Sequence, residues 1–551
     1  MTTTVHMKIA GMTCMHCEQT VEAALSSVGA TDIKASFQRG DARFNWPDGQ
    51  NSDSAQTAVG DAGYQPHGLE IVSTATDETG IRTDGNTEWD LAVVGSGSAA
   101  FAAAIRARDS GARVVMIEEA TLGGTCVNVG CIPSKALVAA ADLYYRAGHN
   151  PFAGTHTQAV GVDLRALVAQ KDELVASLRQ GKYADLIDEY GWTLMQGRAS
   201  FGDKEALLVD GKQIRAGAYV IATGASPVVP SIPGLDDAEY LTNTTALELS
   251  EIPESMIVIG GGPEGMEFGQ VFARLGTRVT VLQRADRVLP REEAELSGGL
   301  EAILTDEGMT IRTRTVPVRV EGRNGEQVVV HADVDGHAQQ FEASHLLVAA
   351  GRRPNTAQLG LDRAGIATDD RGAVVVDAKL RTGNPTVWAA GDVINSPQYV
   401  YVAAYQGTLA ADNSLNGNGR TVDLSALPRV TFTTPQLASV GMTVAEATEA
   451  GYATKTSVLP LSAVPRALVN HDTRGLFKIV ADEQTDRLLG VHILAENAGD
   501  VIYAGVLAIK FNLTVADLAS TFDPYLTMAE GLKLAAQTFG RDVNKLSCCA
   551  A

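Results

Sequence analysis

The six cysteines of this chain form three close pairs, and their spacing says most about its chemistry. The pairs are Cys14/Cys17, Cys126/Cys131 and Cys548/Cys549. Two thiolates make a good site for a soft metal ion, so each pair is a candidate metal-binding site. The middle pair lies just after a dinucleotide-binding pattern, so it can also receive electrons. Together the three pairs predict an enzyme that collects a soft metal ion and reduces it.

The middle pair lies at the start of a predicted helix, in GGTCVNVGCIPSKALVAAADLYY (123–145). Cys131 opens that helix, where the positive end of the helix dipole lowers the pKa of a thiol and favours the thiolate. Lys135 follows within the first turn and adds positive charge. One thiolate can therefore face a flavin while its partner exchanges with substrate. The alternative, two buried and inert small side chains, is disfavoured by the glycine-rich context.

A dinucleotide-binding pattern precedes the pair, in WDLAVVGSGSAAFAAAIRARDSGARVVMIEE (89–119). Gly95, Gly97 and Ala100 give G-x-G-x-x-A between a predicted strand and a predicted helix. This spacing permits a tight turn, a close approach of the backbone to a pyrophosphate, and close packing of the helix on the strand. The helix N-terminus offers free N–H groups to phosphate. Glu118 ends the next strand, where it can accept hydrogen bonds from a ribose.

A second pattern of this kind occurs in SMIVIGGGPEGMEFGQVFARLGTRVTVLQR (255–284), with glycines at Gly260, Gly262 and Gly265. Its second strand ends in Gln283 rather than in an acid, and Arg284 follows. A missing carboxylate removes repulsion toward a 2′-phosphate, and an arginine can pair with that phosphate, which favours NADPH over NADH. A solvated surface charge is the alternative role for Arg284.

A third strand, TVWAAGDV (386–393), carries an acid near its end. Asp392 follows a glycine there, at a strand–helix junction. A carboxylate in that place can bond the ribityl chain of a flavin, although the signal is modest on its own.

The N-terminal pair lies in GMTCMHC (11–17), a C-x-x-C that straddles a loop and a helix start. Two thiolates so placed can bind a soft ion linearly. With Met12 and the later Gly-Tyr (63–64), the segment resembles the heavy-metal-associated domain of copper chaperones and metal pumps. A thioredoxin-type redox pair is the alternative, but the surrounding pattern does not fit that fold. His16, between the cysteines, is interpreted as an exposed variable residue.

The C-terminal pair ends the chain, in KLSCCAA (545–551). Two adjacent cysteines on a flexible tail can chelate a metal loosely and pass it on. A harmless tail or a strained vicinal disulfide is the alternative.

These residues must be positioned by several domains, because a chain of 551 residues is too long for one ordinary domain. The N-terminal part reads as a βαββαβ ferredoxin-like domain, followed by two Rossmann-like nucleotide-binding domains and an α+β domain, so the fold class is α/β with α+β. The expected division is 1–72 heavy-metal-associated domain, 73–88 linker, 89–240 first part of the FAD-binding domain, 241–355 NADPH-binding domain, 356–424 second part of the FAD domain, and 425–551 dimerisation domain with the Cys-Cys tail.

Composition and charge exclude several classes of partner. A hydrophobic content of 45% and a charged content of 20% suit a soluble globular protein. The net charge of −21 argues against nucleic acid and anionic membranes as partners. The N-terminus lacks an apolar stretch of signal-peptide length, and the sequence has no run typical of a membrane span. We therefore expect a cytoplasmic protein, where paired cysteines are metal ligands or redox centres more often than structural disulfides.

Several of these motifs, taken in order, resemble the flavin disulfide reductases, the family of glutathione reductase and lipoamide dehydrogenase. They are GGTCVNVGCIPSK, both glycine patterns, AAGRRPN (349–355) and AAGDV (389–393), and the resemblance covers about residues 88 to 551. It implies FAD in the first site, with Gly124 and Thr125 among its contacts, and NADPH or NADH in the second. It also implies a lysine–glutamate pair beside the flavin, Lys135 with Glu267, and a homodimer.

The chain departs from the disulfide-reducing members near its C-terminus. Those members usually carry His-Pro-Thr, whose histidine moves protons to and from thiols. The matching stretch here is TFDPYLTMAEGLKLAA (521–536), without a histidine and with Tyr525 after Pro524. Asp523, beside Pro524, departs instead from the mercury-reducing members of the family, which often have an apolar residue there, and it changes the local charge. Reduction of a metal ion does not need the same proton delivery to a leaving sulfur.

With all three cysteine pairs, the chain resembles the mercury-reducing members of this family. That resemblance implies NADPH-dependent reduction of Hg(II) to Hg(0), with small thiols or a mercury transporter as Hg(II) donors. It implies that the C-terminal tail and Tyr525 of one subunit reach the flavin site of the other, and that Tyr183 lies on the substrate side. A surface aromatic on a helix is the alternative role for Tyr183.

Two other functions remain as rivals. One is an ordinary disulfide or lipoamide reductase with a fused metal-binding domain; the missing His-Pro-Thr motif and the terminal Cys-Cys argue against it. The other is a metal-binding chaperone with a degenerate enzyme body; the intact glycines of both nucleotide patterns argue against that.

Overall fold

The structure is a computed structural model that describes residues 2–12, 15–37, 40–47, 53–73, 87–203, 206–417 and 419–542. Cys14, Cys548 and Cys549 lie outside the described residues. The chain divides into two compact units, Met1–Gly80 and Ile81–Ala551.

The first unit has the predicted βαββαβ order. Its elements are β1 (Thr2–Ala10), α1 (Met15–Ser27), β2 (Thr31–Ser36), β3 (Asp41–Pro47), α2 (Asp53–Asp61) and β4 (Gln65–Ser73). The strands pair antiparallel in the order β2-β3-β1-β4. Alternate residues of β1, namely Val5, Met7 and Ile9, are buried because side chains of a strand point to opposite faces and one face covers the core. The ferredoxin-like prediction is confirmed.

The second unit begins with a parallel sheet. Its first elements are β5 (Trp89–Val94), α3 (Ser98–Asp109), β6 (Val114–Glu118), α4 (Gly124–Asn128), α5 (Cys131–Gly148), α6 (Leu164–Arg179), a π-helical turn (Gln180–Ala184), α7 (Asp185–Tyr190), β7 (Thr193–Gln196), β8 (Ala199–Asp203), β9 (Ala206–Val209), β10 (Lys212–Ile214), β11 (Ala216–Ile221) and β12 (Ala225–Pro227). Strands β5 and β6 are buried almost throughout, as expected for a parallel strand covered on both faces.

A second parallel sheet follows. The next elements are α8 (Asn243–Ala246), β13 (Ser255–Ile259), α9 (Pro263–Leu275), β14 (Arg278–Leu282), α10 (Ala294–Asp306), β15 (Thr310–Arg312), β16 (Thr315–Arg323), β17 (Gln327–Val334), β18 (His337–Ala343), β19 (His345–Val348), β20 (Arg352–Pro354), β21 (Val387–Ala389) and α11 (Val400–Leu415). The sheet orders are β21-β11-β5-β6-β7 and β15-β14-β13-β19. Two parallel sheets, each with a glycine turn after its first strand, confirm the two Rossmann-like folds.

The last part of the unit is α+β, as predicted. Its elements are β22 (Pro428–Thr431), β23 (Gln436–Gly441), α12 (Val444–Glu449), β24 (Thr454–Pro460), α13 (Pro465–Asn470), β25 (Leu476–Asp482), β26 (Leu488–Ala495), α14 (Ala498–Lys510), α15 (Val515–Ser520) and α16 (Glu530–Gln537). The strands pair antiparallel in the order β22-β23-β26-β25-β24.

One helical segment of the described chain, Gly124–Gly148, is long and apolar enough to cross a membrane by length and composition. It comprises α4 and α5 and carries both cysteines of the middle pair. Helix α5 is joined to α9 by ion pairs, Lys135–Glu267 and Asp142–Arg274, and therefore belongs to the packed body of the second unit.

Candidate active site

A tight loop and the start of α5 hold the two central cysteines. Cys126 lies in the short helix α4, and Cys131 is the first residue of α5. The Asn128 side chain between them donates hydrogen bonds to the carbonyls of Leu122 and Gly124, both at 2.9 Å. Arg179 donates in turn to the Asn128 side-chain oxygen at 3.0 Å. The loop is therefore fixed by side chains both inside and outside it.

The two thiols share their protons unequally. Both cysteines are free, and the Cys126 thiol donates a hydrogen bond to the sulfur of Cys131. That hydrogen bond, together with the charge of Lys135, lowers the pKa of Cys131 to about 7. The pKa of Cys126 is raised because it donates that hydrogen bond and is partly buried. Cys131 is therefore the first of the pair to ionise as the pH rises, and Cys126 keeps its proton to higher pH.

A partly buried ion pair lies beside the thiols. The Lys135 ammonium contacts a Glu267 carboxylate oxygen at 2.5 Å, and the Glu267 side chain is 8% exposed. The other Glu267 oxygen accepts a hydrogen bond from the Phe432 backbone N–H at 2.8 Å. The ammonium also lies 4.7 Å from the centre of the Phe432 ring. Lys135 thus lies between the carboxylate and the ring, and its position is set by three separate segments of the chain.

In the first glycine pattern the backbone approaches its neighbours so closely that there is no room for a Cβ atom. Gly95 has a φ of 110°, and a Cβ there would lie 2.4 Å from the carbonyl oxygen of Ala222. A Cβ on Gly124 would lie 2.5 Å from the Cα of Gly97, so the cysteine loop touches the glycine turn. Ala100, the third small residue of the pattern, is fully buried.

The residues around this cradle fit a flavin dinucleotide. Helix α3 begins at Gly97 without a side-chain cap, which leaves its first N–H groups open to phosphate. Glu118 at the end of β6 accepts hydrogen bonds from the Ser96 hydroxyl at 2.6 Å and from the Ala120 N–H at 2.8 Å. A carboxylate held in this way lies at the nucleotide end of the sheet.

Asp392 lies beside the same cradle and is partly buried. Burial raises the pKa of Asp392, and the positive charge of Arg352 opposes that rise. The FAD residues that the sequence predicts, which stay predictions, are Gly95, Gly97, Ala100, Glu118, Gly124, Thr125, Lys135 and Asp392.

The second glycine pattern is built in the same way. Gly260 has a φ of 119°, and a Cβ there would lie 2.2 Å from the carbonyl oxygen of Ala349. A Cβ on Gly265 would lie 2.0 Å from the carbonyl oxygen of Gly260, so the third residue must be glycine. Helix α9 begins at Gly262, also without a side-chain cap. This turn fits the pyrophosphate of a nicotinamide dinucleotide.

The two residues after β14 play different roles. The Gln283 amide oxygen accepts a hydrogen bond from the Gly261 N–H at 3.2 Å, and its nitrogen donates to the Arg287 carbonyl at 3.1 Å. Gln283 therefore joins the glycine turn to the following loop. Arg284 is exposed. Pairing of the Arg284 guanidinium with a 2′-phosphate stays a prediction.

Two tyrosines were candidates for the substrate side. Tyr183 lies in the π-helical turn, its ring edge-on to Phe101 with centroids 4.8 Å apart. Burial raises the pKa of Tyr183, and the nearby thiols Cys126 and Cys131 add to that rise, so its hydroxyl stays protonated near the thiols. Tyr525 is 57% exposed and belongs to a different part of the second unit.

Asp523, the departure noted near the C-terminus, is paired with a cation. Its carboxylate contacts the Lys533 ammonium at 2.8 Å. The charge that replaces the histidine of the disulfide-reducing members is therefore largely compensated within the same segment.

The other candidate metal ligands are only partly described. Cys17 is half-buried at the start of α1, and Met12 packs into the core of the first unit. Within the described residues there is no cluster of three or more His, Cys, Asp or Glu side chains suited to a metal ion. The central site thus offers two thiols, which suits a soft ion of low coordination number.

Sequence reasoning missed Arg179 and Asn243 as parts of this site. Arg179 contacts Asn128, 51 residues earlier, and Asn243 contacts Val129, 114 residues earlier. Neither residue belongs to a recognisable motif. Only the three-dimensional structure brings them to the cysteine loop.

This fold and this site define a flavin- and nicotinamide-dependent dithiol oxidoreductase. Residues 89–407 match the family described as pyridine nucleotide-disulphide oxidoreductase, and residues 427–536 match its dimerisation domain. The chain belongs to the pyridine nucleotide-disulphide oxidoreductase family. The dimerisation domain supports a homodimer.

Its relatives define the group more narrowly. The chain is 49% identical to the mercuric reductase of Staphylococcus aureus, with 98% of each chain covered. It is 54% identical to the mercuric reductase of Streptomyces lividans, covering 84% of this chain and 99% of that one. It also resembles the Cu(II) complex of an HOCl-induced flavoprotein disulfide reductase from Escherichia coli, with a TM-score of 0.74, 32% identity, and coverage of 82% and 99%. Within the family, the chain groups with the mercuric reductases.

Proposed function

We propose that this protein uses NADPH to reduce Hg(II) to Hg(0), in mercury detoxification. The reaction balances as NADPH plus Hg(II) giving NADP⁺, H⁺ and Hg(0), with two electrons passing to the metal. The observation that carries the proposal is the pair of free thiols, Cys126 and Cys131, beside the Lys135–Glu267 ion pair. FAD, when bound, carries the electron pair from NADPH to the thiol side of the site.

The two central thiols are the groups that bind the metal. The lowered pKa of Cys131 makes this sulfur the easier of the two to ionise, so it needs less proton loss to become a ligand. Cys126 then releases its proton as it becomes the second ligand. Soft thiolates select Hg(II) over hard ions such as Mg(II). Exchange of one thiolate at a time keeps the ion ligated throughout, so it can move quickly although each site holds it tightly.

The C-terminal segment favours a metal over a disulfide as the substrate. Where disulfide-reducing relatives have a histidine, this chain has Asp523, paired with Lys533 at 2.8 Å. An acid already engaged with a lysine is a poor substitute for an imidazole that must give and take protons near neutral pH. Metal reduction leaves no sulfur that needs a proton from this segment. We assign Tyr525 to the substrate side of the other subunit's site, and Tyr183 to the substrate side of its own.

We assign the remaining cysteines to delivery. Cys14 and Cys17 capture Hg(II), and Cys548 and Cys549 of the other subunit relay it to the central pair. Small thiols or a mercury transporter supply the ion. We place the enzyme in the cytoplasm, where NADPH and reduced thiols are available, and we assign it no nucleic-acid partner.

The relay role can be tested on the tail. Replacing Cys548 and Cys549 with alanine is expected to lower kcat/KM for Hg(II) strongly when an external thiol is in excess, because the ion must leave that thiol before it reaches the central pair. Flavin reduction by NADPH should be intact. The matched variant replaces Cys14 and Cys17, and should retain activity as purified enzyme. An unchanged kcat/KM in the tail variant would remove the relay.

We assign NADPH preference to Arg284. Replacing Arg284 with leucine is expected to raise the Kd for 2′,5′-ADP by on the order of tenfold, since one charge-assisted phosphate contact is lost. Binding of 5′-ADP, which lacks the 2′-phosphate, should change little. Calorimetric titration of both ligands measures the difference. Equal weakening of the two ligands would show that Arg284 does not read the 2′-phosphate.

Substrate selectivity tests the proposal as a whole. NADPH oxidation by the FAD-loaded enzyme should be fast with Hg(II) in excess thiol, and at least about 100-fold slower with oxidised glutathione or lipoamide, which need a proton donor for the leaving sulfur. Brisk turnover of either disulfide, with none of Hg(II), would instead establish a disulfide reductase with a fused metal-binding domain.

A further inference from the structure

The turn between the two central cysteines is held by a buried amide from another part of the chain. Asn243 Nδ2 donates a hydrogen bond to the Val129 carbonyl oxygen at 3.0 Å. Asn243 is 4% exposed, and its side-chain oxygen is buried without a hydrogen-bond partner in the described part of the chain. A buried side-chain oxygen without a hydrogen-bond partner costs free energy. The hydrogen bond from Nδ2 to Val129 is therefore the polar contact by which this side chain acts on the turn.

Val129 is the point where the backbone reverses between the two sulfurs. Its N–H bonds the Thr125 carbonyl at 2.9 Å, which closes the end of α4. Gly130 follows, and a Cβ there would lie 2.9 Å from the same Thr125 carbonyl oxygen. The turn is therefore tight on its inner side. The Val129 carbonyl points outward, and Asn243 is the residue that bonds it.

The other end of this contact is anchored in the second parallel sheet. Leu241, two residues before Asn243, bonds the Leu346 carbonyl and the Val348 N–H, both at 2.8 Å. Thr245 completes a capping box at the start of α8. The amide is thus presented by a rigid segment whose position is set by the second nucleotide domain.

We propose that Asn243 is a positioning residue for the central dithiol: by fixing the Val129 turn, it raises the effective concentration of one sulfur at the other. A disulfide forms only within a narrow range of geometry, and two-thiolate binding of a soft ion also needs both sulfurs turned to one point. A turn that is already ordered loses little further conformational entropy when the disulfide or the two metal–sulfur bonds form. The inference rests on the proposed role of Cys126 and Cys131 as a working dithiol.

The dithiol–disulfide equilibrium tests this directly. Glutathione disulfide oxidises the pair, so that the Cys126–Cys131 disulfide and two glutathione thiols form from two enzyme thiols and one glutathione disulfide. Replacing Asn243 with leucine removes the donor at similar volume. The equilibrium constant for disulfide formation is expected to fall about fivefold, the worth of one net hydrogen bond. Acid quench, alkylation and mass analysis of the peptide that carries both cysteines measure it in the FAD-bound enzyme.

Thr244→Val is the matched control, because it changes the neighbouring side chain of the same helix at similar volume and leaves both Asn243 and the capping box in place. It should leave the constant unchanged. Asn243→Ser, whose side chain is shorter, should lower the constant as the leucine variant does. It replaces the leucine variant in the measurement if that variant does not retain FAD. An unchanged constant in the Asn243 variants, or an equal fall in Thr244→Val, would overturn the proposal. Neither outcome affects Hg(II) reduction, which is measured on the unaltered enzyme.

Discussion

Replacing Cys131 with alanine is expected to lower Hg(II)-dependent oxidation of NADPH by more than about 100-fold. The reason is that this sulfur is the first of the pair to ionise, with a pKa lowered to about 7 by the Cys126 thiol and Lys135. Loss of a residue that merely supports a metal ligand already costs about 10–100-fold, so loss of one of two ligands should cost more. Steady-state oxidation of NADPH, with Hg(II) in excess thiol, measures the effect.

A neighbouring residue supplies the control for this variant. Ser134 lies one turn further along α5, is buried, and donates a hydrogen bond to the Cys131 carbonyl at 3.3 Å. Ser134→Ala should keep most of the activity, since it removes no group that touches the metal. Both variants should retain FAD. Comparable activity in Cys131→Ala and the unaltered enzyme would mean that the central pair does not bind the ion.

The second large effect is expected at Lys135. Replacing it with methionine leaves the Glu267 carboxylate, 8% exposed, without its cation. The carboxylate is then left without its partner, but the Lys135 side chain is 33% exposed and water screens part of the loss. We therefore expect the free energy of unfolding to fall by about 2 kcal/mol. The Cys131 thiolate also loses a nearby positive charge, so its pKa should rise and less thiolate should be present at neutral pH. Denaturant unfolding and the pH dependence of thiol alkylation measure the two effects.

A double variant separates charge from packing. Adding Glu267→Gln to Lys135→Met removes the uncompensated charge, while the amide oxygen can still accept from the Phe432 N–H. Stability should largely recover, whereas the thiolate should remain less stable because the lysine is still absent. If the double variant were as unstable as Lys135→Met, packing of the lysine stem would be the main contribution, not the ion pair.

Local motifs were predictable where the cause lies in the sequence itself. The glycine turns follow from residues that must have positive φ and approach a neighbouring strand, as Gly95 and Gly260 do. Helix α5 begins at Cys131, directly after Gly130, as the sequence pattern predicts. The βαββαβ order of the first unit and the two parallel sheets follow from strand and helix periodicity.

Contacts between distant segments were not predictable from periodicity. Lys135 and Glu267 are 132 residues apart, and only the resemblance to the flavin disulfide reductases suggested their contact. A second pair, Asp142 with Arg274 at 2.7 Å, joins the same two helices seven residues further along each, from 135 to 142 and from 267 to 274. The repeated spacing is visible in the sequence only after the structure shows that α5 and α9 lie together.

Gln283 shows a different limit. The pattern indicated that a glutamine in place of an acid favours a 2′-phosphate, and this stays a prediction. The structure adds that the amide is already engaged with Gly261 and Arg287. Internal hydrogen bonds of this kind depend on where a loop turns back, which residue type alone does not determine. The role of Gln283 is therefore to hold the turn in shape.

The most direct test measures mercury vapour rather than NADPH. Enzyme first reduced with NADPH under anaerobic conditions would be mixed with one equivalent of Hg(II) and a further equivalent of NADPH, and the Hg(0) swept into a vapour detector. We predict about one Hg(0) per active site from the unaltered enzyme and none from a variant with alanine at both Cys126 and Cys131. Vapour in equal amount and at an equal rate from that variant would contradict the account, because the metal would then be reduced without the thiols.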